Sequence, residues 1–196
     1  MAGGRRVPFL VAIVFGFTFG AADQYLGNCE LTLGSWAWEV SAMSAPWLLL
    51  PFVFGWTQTR PRRAMLLGLV ATMAALAGYF AMMWSPVEGV SMNQFLAGWP
   101  ALVSSQQMNI SGGLVTGPLF GLLGQRWRVN RSWASAVLVA GAFCLEPLAR
   151  WVSGRLFQSV LVWEAEVAIG IGLAVLFLVA GVFRSREGTR QTPAQT

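Results

Sequence analysis

The sequence predicts an all-α, polytopic membrane bundle of about six transmembrane helices, with both termini in the cytoplasm. Three observations predict it. The 196 residues are 56% apolar and only 11% charged, with a mean hydropathy of +0.59, whereas an ordinary soluble domain is nearer ~25% charged. The apolar residues gather into runs long enough to cross a hydrocarbon core of ~30 Å at ~1.5 Å per residue. Arginines stand between those runs at alternate ends.

Segment one runs from Val7 to Gly27, after Arg5 and Arg6. Gly20-Ala21-Ala22 also reads as a signal-cleavage site, but an uncleaved span is preferred. Segment two covers Ala37 to Trp56 and is followed by Arg60, Arg62 and Arg63; segment three covers Ala64 to Trp84. Segment four lies within Phe95 to Gly124, ahead of Arg126, Arg128 and Arg131. Its polar run Ser104-Ser105-Gln106-Gln107-Met108-Asn109 is costly in hydrocarbon. Either a short outer helix precedes a span that starts near Asn109, or the helix is broken beside a cavity. Gly112-Gly113 and Gly117-Pro118 predict close packing or a kink in its second half. Segment five covers Ser132 to Trp151, and segment six Val160 to Phe183, ahead of Arg184, Arg186 and Arg190. Residues 1–183 read as one transmembrane domain and 184–196 as a polar, disordered cytoplasmic tail.

Eleven of the thirteen arginines fall at the N-terminus, in loops two and four, or at the C-terminus. The positive-inside rule puts those four regions in the cytoplasm of a multi-pass membrane protein. The same distribution argues against nucleic acid as the partner of a chain of net charge +5, because the arginines form no basic face. The partners expected are the bilayer and a hydrophobic small molecule; the oligomeric state is left open.

The chain has no His and no Lys. That excludes histidine bases, Ser-His-Asp triads and lysine Schiff bases. Side-chain proton chemistry falls to Asp and Glu, and less readily to Tyr25, Tyr79 or a thiol. Cys29 and Cys144 have no CxxC spacing. They allow a disulfide, with two separate buried thiols the preferred reading. No metal-ligand spacing, clustered-aspartate motif or phosphate loop is present, so no metal and no cofactor are expected.

The acids carry the most information. Glu187 lies in the tail; Asp23, Glu30, Glu39, Glu88, Glu146, Glu164 and Glu166 all fall in the outer half or outer loops. Glu30 and Glu88 read as loop residues, while Glu39, Glu164 and Glu166 lie near span ends and could face headgroups. Asp23 lies 17 residues beyond Arg6, or ~25 Å along a helix, inside the outer leaflet. An intramembrane acid is by default a functional candidate. Glu146 and Arg150 are spaced to pair on one helix face, either as a structural ion pair or as part of a site, and Pro147 predicts a kink beside them. Phe15, Phe19 and Asp23 follow one another at i, i+4, i+8, and Trp36, Glu39, Met43 and Trp47 share a face of segment two. Such stripes are more often core than cofactor site, yet an acid at the outer end of an aromatic-walled bundle fits a pocket for an apolar substrate.

A carboxylic acid in an apolar pocket stays protonated near neutrality and can act as a general acid. Protonating an alkene creates a carbocation, which aromatic faces stabilise by roughly 0.5–2 kcal/mol each without trapping it. Asp23, with no arginine near it on its own helix, is the candidate acid. Glu146, paired with Arg150, suits a counter-ion or final proton acceptor, and Glu39 completes the candidate catalytic set. Phe19, Trp36, Trp47, Trp84, Trp99, Phe143 and Trp163, with Arg150, are the candidate substrate-binding residues on outer-half position and aromaticity.

Several stretches carry a family likeness: Asp23-Gln24-Tyr25-Leu26-Gly27, Ser44-Ala45-Pro46-Trp47, Gly112-Gly113, Gly117-Pro118-Leu119-Phe120-Gly121 and Phe143-Cys144-Leu145-Glu146-Pro147-Leu148. With the small size and Trp-rich spans, the chain resembles the small actinobacterial membrane-bound terpene cyclases of the drimentine type. These cyclise a farnesylated indole and are related in mechanism to the fungal meroterpenoid cyclases. The likeness covers most of residues 7–183 and is diffuse. The fungal proteins have an extra span, so their catalytic acids are not carried over. The resemblance implies metal-independent, protonation-initiated cyclisation of a prenylated substrate that enters from the bilayer. The alternative is a binding or transport module, such as the vitamin-binding subunit of a transporter; a third reading is a structural membrane protein.

Overall fold

The computed structural model describes residues 7–85, 87, 91–155 and 158–190; side chains at 92, 94–97, 99, 102 and 182–190 fall outside it. The described chain is helical, with no strand among the described residues. In order, the helices are α1 (Val7–Asn28), α2 (Glu30–Leu33), α3 (Ser35–Ser41), α4 (Ala45–Trp56), α5 (Pro61–Met83), α6 (Met92–Ser105), α7 (Gln107–Asn130), α8 (Trp133–Val152) and α9 (Val160–Arg190).

Four of them, α1, α5, α8 and the Val160–Gly181 part of α9, are long and apolar enough to cross a membrane. Segment two is a bent pair: α3 and α4 meet at 45° and together can make a fifth span. Helix α7 has 24 residues, ~36 Å of helix, but polar residues near both ends lower its apolarity. The polar run in segment four marks a break at Gln106, with a short helix before it and a long one after it. Helix α8 runs unbroken through Pro147. The tail expected from residue 184 instead begins as a continuation of α9 to Arg190, and residues 191–196 lie outside the described set.

Small residues set the architecture. With little hydrophobic drive between helices in lipid, close backbone approach is the main source of packing energy. Gly16 and Gly20 of α1 lie against the backbone of Ala71 and Ala75 of α5, and Gly78 of α5 lies against the backbone of Phe17. A Cβ at Gly20 or Gly78 would collide with a carbonyl that cannot move aside. Gly55 of α4 meets Gly121 of α7, and Gly68 of α5 meets Gly117 and Gly121. Helices α1, α4, α5 and α7 thus form one tight unit. Helices α8 and α9 pair antiparallel, with Gly170 against Ala140, Phe143 and Cys144, and Gly181 against Trp133. They join the rest through a cluster of Phe52, Phe120, Leu123, Trp127, Val139 and Phe177.

The alternating course gives the bundle two unlike ends. One gathers the arginines: Arg128 donates to the carbonyls of Trp56 and Thr57 at 3.1 and 2.7 Å, Gln125 donates to Thr59 at 2.9 Å, and Arg131 lies 5.0 Å over the Trp127 ring. The other holds Asp23, Glu39, Glu146 and Glu166 and opens into a cavity.

Candidate functional site

Helix α1 carries Asp23 one turn beyond the Gly20 contact with α5, so the close packing of α1 and α5 fixes where the carboxyl sits. The side chain is half-buried. Ser41, at the end of α3, donates its hydroxyl to Oδ2 at a loose 3.4 Å. Trp47 of α4 lies beside it in the same cavity.

This carboxyl faces a cavity of about 360 Å³, walled by four parts of the chain. Ser41 to Ser44 form the bend between α3 and α4, and Trp47 and Leu48 follow in α4. Thr72, Leu76, Tyr79 and Phe80 come from α5. Met108, Asn109, Gly112, Gly113 and Thr116 come from α7, just beyond its break. The volume lies within the ~300–1,000 Å³ of small-molecule sites. The aromatic wall is continuous: Phe19 meets Trp47 edge-on at 5.5 Å, Trp47 meets Tyr79 at 6.0 Å, and Tyr79 meets Phe80 at 5.8 Å. Tyr79 is also close enough to Asp23 to interact electrostatically. Among the described lining residues, Asp23 is the only acidic or basic side chain apart from the Tyr79 phenol. The chamber therefore offers one carboxyl, a few weak hydrogen-bonding groups and aromatic faces.

Of the residues singled out from sequence, Asp23 and Trp47 line this cavity and Phe19 backs Trp47 from behind. The rest lie elsewhere. Trp36 is exposed on α3 beside Gly34. Trp84 ends α5 and packs over Gly98 of α6. Phe143 is buried against Gly170, and Trp163 packs with Met43 and Val162. Trp99 lies on α6, with its side chain outside the described set.

Glu39 and Glu146 serve as caps donated from another helix. The first N–H groups of a helix lack internal partners and favour an anion. Glu39, 2% exposed, accepts from the N–H groups of Gln158 at 2.8 Å and Ser159 at 3.1 Å, just before α9. Glu146 accepts from Ser44 at 2.8 Å and Ala45 at 2.8 Å at the start of α4, where Ser44 provides no side-chain cap of its own. Arg150 then pairs with Glu146 at 2.7 Å and donates to the carbonyl of Ala42. Together they pin residues 42–45, the bend that walls the cavity, from behind.

Tyr79, Thr72 and Asn109 were not anticipated as cavity residues. Helical spacing could have found them: Thr72, Leu76, Tyr79 and Phe80 form one stripe of α5, and Asn109, Gly112 and Thr116 one stripe of α7. Glu166 was set beside Glu164 as a span-end residue. Helix α9 separates them, exposing Glu164 and burying Glu166 completely. Cys29 and Cys144 are free, half-buried thiols. Among the described residues, no three acidic or thiol side chains gather as metal ligands would. No protein-family model matches the chain, and no curated protein or solved structure was found similar to it.

Proposed function

We propose that this chain is a metal-independent cyclase of a bacterial cell membrane, with its arginine end in the cytoplasm, acting on a prenylated, farnesyl-indole-like substrate. The observation that carries the reading is Asp23: a loosely held carboxyl facing a cavity whose wall is Trp47, Tyr79 and Phe80. The Asp23 O–H bond breaks as a C–H bond forms at the terminal alkene. The resulting cation closes rings through the remaining double bonds, facing aromatic surfaces that stabilise positive charge without bonding to it. A neighbouring C–H bond then gives its electrons to a new alkene, and the proton goes to the carboxylate that Asp23 has become. The net change is an isomerisation that needs no cofactor. Glu146 is a poor acceptor for that last proton, because it lies behind the cavity wall with its oxygens engaged by two backbone N–H groups and Arg150. Incubating membranes that contain the protein with farnesyl-indole tests the reading: a cyclised isomer of unchanged formula is expected, and substrate recovered intact contradicts it.

A binding or transport role has one observation in its favour. Two helix breaks, the α3–α4 bend and the α6–α7 break at Gln106, adjoin the cavity, and interrupted helices beside a cavity are frequent in transporters. Ligand uptake into vesicles without chemical conversion would favour that role.

A further inference from the structure

Glu166 is fully buried (0% exposed), and neither of its carboxyl oxygens has a hydrogen-bond partner from the protein. It lies on the buried stripe of α9, with Val162 one turn before it against Met43 and Gly170 one turn after it against Phe143 and Cys144. Because α8 and α9 run antiparallel, with Gly170 against Phe143 and Cys144, Glu166 stands opposite Glu146, and the two carboxyls are close enough to interact electrostatically. Arg150 is within electrostatic reach of both and makes short bonds to Glu146 and Ala42. Glu146 in turn is occupied by Ser44 and Ala45. Other ionisable groups near this part of α9 are Cys144 on α8, Glu39 on α3 at the start of α9, and Glu164 on α9 itself, exposed on another face.

Two facing carboxylates offer acceptors only, so no hydrogen bond can form between them without an added proton. With Arg150, the pair would also carry one uncompensated negative charge in a buried, apolar place, which is strongly unfavourable. A proton removes both problems. It cancels the excess charge and lets Glu166 donate an O–H to Glu146, while Glu146 continues as the anion that caps α4 and pairs with Arg150. We propose that the Glu146–Glu166 pair is a proton-binding site, occupied by one proton carried on Glu166 and shared with Glu146. This site lies behind the wall formed by residues 42–45 and does not depend on the cyclase reading.

Infrared spectroscopy of the full chain in lipid nanodiscs at neutral pH tests this, with glutamate isotope-labelled at its carboxyl carbon. Asp23 is the chain's one aspartate and stays unlabelled. The expected result is a neutral carboxylic-acid C=O band that shifts with the glutamate label, is lost in Glu166→Gln and persists in Asp23→Asn. The absence of any label-shifted neutral-acid band overturns the proposal, and that measurement needs no variant. A label-shifted band retained in a folded Glu166→Gln protein also overturns it. So does one that vanishes when sodium is added at constant pH, which would make a metal cation the occupant.

Discussion

Asp23 and Glu146 sit at the same end of the bundle, and they are held in opposite ways. Asp23 has one long contact with Ser41, Trp47 beside it and open space in front of it. Glu146 has two backbone N–H donors, an arginine and a second carboxyl around it. A residue whose bonds are all satisfied by the fold is a structural part; one left facing a cavity is free to act on a ligand. Nothing in composition separates the two, since both are acids near the same end of apolar helices. What separates them is the use of the neighbouring backbone: the first N–H groups of α4 point at Glu146, which caps them, whereas Asp23 lies by the same bend and accepts instead from the Ser41 side chain.

Experiments that separate fold from turnover would break or sharpen that contrast. The largest effect is expected for Asp23→Asn, which keeps shape and removes the acid: turnover falls by on the order of 10³, while the unfolding temperature in detergent stays that of the parent. An unfolding temperature that falls with turnover would place Asp23 with the structural acids. Arg150→Ala should do the reverse. It leaves Glu146 and Glu166 without their cation and frees Ala42, so it should cost about 3 kcal/mol of stability, read by thermal unfolding. Glu39→Ala removes the cap of α9 and should cost about 1–2 kcal/mol, seen as faster amide exchange at Gln158 and Ser159. Smallest is Trp47→Leu, which removes one aromatic face from the cavity. A loss of ~1.4 kcal/mol of cation stabilisation is about tenfold in rate, and Trp47→Phe should recover most of it.

The sequence was informative about the bundle for a simple physical reason. Spanning a bilayer demands long apolar helices, and orientation leaves its mark in arginine placement, so α1, α5 and α8 begin and end near the expected bounds, and α9 begins at its expected bound but runs on to Arg190. The break at Gln106 was legible as well, because a run of uncharged polar residues is costly at membrane depth. The site was harder to read. Asp23 stood out because an acid that far from its arginines has no local partner. Trp36 and Phe143 have the same chemistry as Trp47, but only packing decides that Trp36 lies exposed, Phe143 meets α9 and Trp47 meets the cavity. The caps formed by Glu39 and Glu146 join residues more than a hundred positions apart, and no local pattern encodes such a contact. Glu166 could have been distinguished from Glu164 by the Val162, Glu166, Gly170 spacing, which puts it on the packed stripe of α9.

The most direct test of Asp23 as the proton donor is mass spectrometry of farnesyl-indole turnover in heavy water, with the parent protein and Asp23→Asn compared in matched membranes. The account predicts a cyclised isomer carrying one solvent deuteron on carbon from the parent and none from folded Asp23→Asn. A product without deuterium, or equal deuterated product from folded Asp23→Asn, would contradict it.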